Sequence, residues 1–199
     1  MDESLHDDPK IDALLREANS YIYRMKSGIQ RANPRLKKLR ENGLHIEAIM
    51  VDGQMLEYAI RTVLSMVRIK SGILKQKAIA NPFPAIDASE DSIERIPLGA
   101  LIGKLKAFTG ENDLIVKLTN FNRKFRQDFV HHAFFVSEEK MAEMERESDE
   151  YFKGSEFSDM TIGLVNYQRQ IQQEIADLCK DDEARSAGIE PAKPEEKAT

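Results

Sequence analysis

Apolar residues recur at positions 11, 14, 15, 18, 22, 25 and 29, the spacing of one face of a helix, so a first helix is predicted over Ile11–Ile29. Asn33-Pro34 should end or kink it, because the residue before a proline is pushed out of the helical region. A short basic helix over Pro34–Arg40 is expected next, and Asn42-Gly43 punctuates the chain. A long helix follows from about His45 to Lys70. Ile46, Ile49, Met50, Leu56, Ile60, Val63, Leu64 and Val67 form its buried stripe, and Gly53 weakens it locally.

Residues 73–97 read as looser, since Asn81-Pro82-Phe83-Pro84 cannot be helical throughout. PLGALIGKLKAFTG reads as a short helix ending at Gly110. Glu111–Phe135 reads as another, with Leu114, Ile115, Leu118, Phe121, Phe125 and Phe129 on its apolar face. Ser137 followed by Glu138 and Glu139 marks a fresh helix start, and Lys153-Gly154-Ser155 a break. A last helix is predicted from about Ser158 to Leu178. No useful strand alternation and no internal repeat occur. The predicted class is all-α, a helical bundle of five to seven helices with no β-sheet. Residues 1–180 are expected to form a single helical domain, and 181–199 a disordered acidic tail by composition.

Composition narrows the function classes. No apolar run is long enough to span a membrane, and MDESLHDDPK lacks the basic start and apolar centre of a signal peptide. The single cysteine, Cys179, cannot form an internal disulfide and reads as a small apolar residue, so a cytoplasmic setting is expected. The net charge of −5 is unevenly spread: residues 1–136 carry +4 and residues 137–199 carry −9. Between Arg24 and Arg40 lie seven basic residues and no acid, a stretch suited to a polyanion or to neutralising the acidic half. Phosphate-loop, dinucleotide-binding, zinc-protease and CxxC motifs are all missing, so no cofactor is expected.

The densest polar stretch is FNRKFRQDFVHH, residues 121–132, which holds two of the four histidines. On a regular helix Asn122 would meet Arg126, Gln127 would meet His131, and Asp128 would meet His132, with Phe121, Phe125 and Phe129 on the core side. Adjacent histidines point about 100° apart on a helix, so His131 and His132 are poorly placed to share a metal, and no metal site is expected. A histidine can move a proton near neutral pH, and an arginine can hold a phosphate and stabilise developing charge. That pairing suits metal-free cleavage of RNA, in which the ribose 2′-hydroxyl is the nucleophile.

Three stretches together resemble the HEPN domain family, over about 44–136: the long helix with GQMLEYAIRTVL, the short helix PLGALIGKLKAF, and LTNFNRKFRQDFVHHAF, which fits the family's R-x4-6-H motif preceded by an asparagine. Arg126 with His131 gives the four-residue spacing, and Arg126 with His132 the five-residue one. The residue after the arginine, commonly Asn, Asp or His in the family, is Gln127 here. The resemblance implies a bundle that dimerises through the motif helix, so that two Arg/His pairs meet in one groove. It also implies two outcomes. Many members are metal-independent ribonucleases of toxin or defence type, some paired with an antitoxin. In that case Arg126 would bind the scissile phosphate, His131 or His132 would act as general acid or base, Asn122 would orient Arg126, and the basic Arg24–Arg40 stretch would guide RNA. Others keep the fold as non-catalytic modules that regulate a protein partner, a use favoured if the acidic second half covers the motif.

Overall fold

The computed structural model describes residues 9–80, 96–127 and 137–186 of the chain. Its elements are α1 (Pro9–Glu41), α2 (His45–Gln76), α3 (Leu98–Thr109), α4 (Asp113–Phe121), a wide π-type turn over Asn122–Gln127, α5 (Glu138–Lys153) and α6 (Glu156–Ser186). No strand occurs among the described residues, so the all-α class stands.

The central element is α2. Ala48, Ile49, Leu56, Ile60, Val63, Leu64, Met66 and Ile69 are all buried, which exceeds one stripe because α1, α3 and α6 close around the helix. Leu98, Leu101, Ile102 and Leu105 of α3, Ile115 and Leu118 of α4, and Met160, Leu164 and Ile175 of α6 complete the same core. Met50, placed on the buried stripe by its spacing, is instead 43% exposed. It lies at the edge of the stripe.

Pro34 does not end α1, which runs unbroken from Pro9 to Glu41. An interior proline costs a helix about 3 kcal/mol. Here the segment beyond it is held from outside. Leu36 is buried with Ala48 and Val51 of α2, Ala32 and Leu39 pack on them, and the Arg40 guanidinium donates to the Phe152 carbonyl at 3.0 Å. Burial of those apolar groups offsets the missing hydrogen bond. The Asn42-Gly43 break is as the sequence implies. Gly43 has φ +72°, its N–H donates to Arg40 O, and the Leu44 N–H donates to Leu39 O, a Schellman closure.

The helix α2 continues past Lys70 to Gln76 and closes in the same way, but with Ala78 at φ +53° where a glycine would be at ease. Helix α3 ends at Gly110 as its sequence predicts. The last helix extends at both ends of the predicted span and includes residues 181–186, which composition had placed in the tail. Ion pairs tie the helices across the core: Arg68 to Glu17, Lys70 to Glu174 at 2.8 Å, and Lys117 to Asp159 at 2.9 Å.

Candidate functional site

The motif segment is not one regular helix. Asn112 caps α4, its side chain accepting from the Ile115 N–H at 3.1 Å, and Ile115, Leu118 and Phe121 face the core. After Phe121 the chain widens into the π-type turn over Asn122–Gln127. A turn of this kind brings residues five apart together, not four. The Asn122–Arg126 adjacency expected on a regular helix is therefore shifted by one position. Phe121 and Phe125 stay buried, their rings 5.6 Å apart, and both stack on Tyr151 of α5, at 5.6 and 4.9 Å.

Asn122 is half-buried and its amide nitrogen points at α3. A Cβ placed on Gly99 would come within 3.2 Å of it. The small residue in PLGALIGKLKAF is thus what lets the motif asparagine approach. Arg126 and Gln127 lie on the wide turn by their backbone, and His131 and His132 fall outside the described residues. The pairing of Arg126 with either histidine is an expectation on which the described residues are silent. In a Gly99→Ala variant the carboxamide must yield by a few tenths of an ångström. The expected result is a displaced Asn122 side-chain amide signal in a two-dimensional NMR spectrum. Stability should stay within about 1 kcal/mol of the parent, as for surface changes.

Beside the turn lies an open groove of about 450 Å³. Arg123 and Lys124 line one wall, and Glu147 and Glu150 of α5 with Glu156 of α6 line the other. The Lys124 ammonium is 3.7 Å from the Glu147 carboxylate and 5.2 Å from the centre of the Phe125 ring. So the acidic half does lie against the motif segment, and Lys124 there already faces a carboxylate. The α1 basic stretch is elsewhere: Arg31 and Arg35 line a groove against α2, while Lys37 and Arg40 line a third groove with His45, Asp149 and Phe152.

Behind the motif groove the structure buries a polar group that the sequence reading overlooked. Asp52 of α2 is fully buried, and neither carboxylate oxygen has a hydrogen-bond partner among the described residues. Burial pushes its carboxyl from 3.8 up to about 8, with the Arg40 charge opposing the shift. At neutral pH it is mostly the uncharged acid. The Tyr151 hydroxyl, also buried without a partner among the described residues, is pushed well above the usual phenol range by burial first and by the field of Asp52 second. Nearby, the buried His45 Nδ1 lacks a partner among the described residues, and its Nε2 lies 3.9 Å from Asp149 Oδ1. A signal was present: position 52 lies three residues after Ile49 and four before Leu56, in the middle of the apolar stripe.

No cluster of three or more His, Cys, Asp or Glu side chains suited to a metal occurs among the described residues, and no helix described is long and apolar enough to cross a membrane. No known protein-family model, curated protein or solved structure matches the chain.

Proposed function

We propose that this chain is an HEPN-like homodimeric helical module that works by engaging a protein partner. The observation that supports this most is the carboxylate wall of Glu147, Glu150 and Glu156 opposite Arg123 and Lys124. A phosphate backbone entering that groove would meet three carboxylates, and Lys124 would have to leave Glu147 to reach it. The Arg24–Arg40 stretch does not offset this, since Arg31, Arg35, Lys37 and Arg40 line other grooves.

A second reading, metal-independent RNA cleavage by Arg126 with His131 or His132, draws on the wide turn. Such turns are rare and concentrate at functional sites, and Asn122 is seated in this one against α3. One experiment separates the two. The purified protein is sized by light scattering and then incubated with mixed cellular RNA at low salt in EDTA, beside Arg126→Ala. The partner-binding reading expects a dimer whose RNA degradation matches that of Arg126→Ala, together with recovery of a stoichiometric protein partner from its host. Cleavage by the parent that falls about a hundredfold or more in Arg126→Ala, the scale of losing one charge-stabilising group, would establish the ribonuclease reading.

A further inference from the structure

The groove between α1 and α2, about 270 Å³, shares no lining residue with the motif groove. Its floor is apolar, built from Met25, Ile29, Met55 and Tyr58. Gly28 keeps that floor open, for a Cβ there would meet only the Tyr58 ring, at 3.6 Å. Tyr58 remains 37% exposed. Arg31 and Arg35 stand exposed on the rim, and among the described residues no acidic side chain lines the groove. The rim belongs to the stretch of α1 from Arg24 to Arg40 that carries seven basic residues and no acid.

We propose that this groove docks an acidic amphipathic helix of a protein partner. The inference rests on the partner-binding reading above and names the surface and the chemistry it would use. Apolar side chains of the incoming helix would seat on Ile29, Met55 and Tyr58, above the buried Met25, and its carboxylates would meet the two guanidinium forks. Met55 suits such a floor because its flexible thioether adapts to the side chains placed on it. A nucleic acid fits less well. Single strands bind on successive aromatic platforms, and the groove offers one ring among aliphatic side chains.

The test uses the full chain and fluorescence anisotropy. The probe is a labelled helical peptide with leucine on one face and glutamate on the other. Its control carries lysine in place of glutamate, and a labelled oligouridylate is the competing polyanion. The expected result is that the leucine–glutamate peptide binds and the lysine peptide does not. Arg31→Glu with Arg35→Glu, both at exposed positions, should weaken binding by about tenfold or more. Gly28→Leu should fill the floor and weaken it independently, with helicity by circular dichroism unchanged in both variants. Equal binding of the two peptides, or undiminished binding by the charge-reversed variant, would overturn the proposal. So would oligouridylate displacing the peptide with a steep salt dependence. Failure of the parent reading shows separately, as Arg126-dependent RNA cleavage.

Discussion

The protein should lose stability as pH rises from about 4 to about 8, and an Asp52→Asn variant should not. Below the ordinary carboxyl value of 3.8, Asp52 is protonated in both the folded and the unfolded chain and adds no pH dependence. Between 3.8 and about 8 the unfolded chain releases this proton while the folded chain keeps it. Unfolding is then favoured by ionisation, and stability falls by up to ~1.4 kcal/mol per pH unit. Above about 8 both forms are ionised and the penalty is constant. Across the interval the loss is on the order of 3–5 kcal/mol, allowing for relaxation around the charge.

Other shifted carboxylates act with the opposite sign and in another window. Asp149, Asp159 and Glu143 are held below their ordinary values chiefly by hydrogen bonds from Lys153, Lys117 and Lys140. Glu174 is lowered by Lys70 and Gln170, although its burial works against them. What these groups contribute is present above the unfolded carboxyl range and is lost on acidification, so it does not mask the alkaline trend. Urea unfolding at a series of pH values checks the prediction. At pH 9 Asp52→Asn should exceed the parent by about 1–3 kcal/mol, less than the full penalty because the amide buries donors of its own. Parallel pH profiles for parent and variant would show that Asp52 is ionised or paired at neutral pH.

Helix identity was written in the chain wherever local signals and burial agreed. Helix α3 is the clearest case: Leu98, Leu101 and Leu105 are buried at helical spacing, and Gly110 takes the positive φ that ends the helix. The signals failed where distant contacts outvote them. Pro34 reads as a stop until α2 covers Leu36, and Ala78 takes a left-handed conformation that no local residue choice announces. The candidate site was legible as residue types but not as geometry. FNRKFRQDFVHH announces polar chemistry, yet the widening after Phe121 depends on where Phe121 and Phe125 must both sit against Tyr151, about thirty positions away. The carboxylate wall is likewise a matter of packing. Glu147, Glu150 and Glu156 are ordinary solvated glutamates in the sequence, and only the placement of α5 and α6 turns them toward Arg123 and Lys124.

That packing leads to the second large effect, Phe121→Ala. Phe121 is 3% exposed, and its ring contacts both Phe125 and Tyr151, which also contact each other, joining the end of α4, the wide turn and α5. Truncation removes a buried phenyl and leaves a cavity, at a cost of about 3–5 kcal/mol, which includes two aromatic contacts worth roughly 0.5–1.5 kcal/mol each. Tyr151→Phe is the informative contrast, because it keeps the ring and removes only the buried hydroxyl. A buried hydroxyl without a partner costs about 1–3 kcal/mol, so this variant should match the parent or exceed it by about 1 kcal/mol. Urea unfolding of both variants reads the difference. If Tyr151→Phe instead loses more than about 1 kcal/mol, the hydroxyl is engaged in the native protein, and Asp52 is the group whose field already reaches it. A double-mutant cycle with Asp52→Asn then decides. A coupling of at least about 0.5 kcal/mol would join α2 and α5 through a polar link behind the motif, and strict additivity would place the hydroxyl's partner elsewhere.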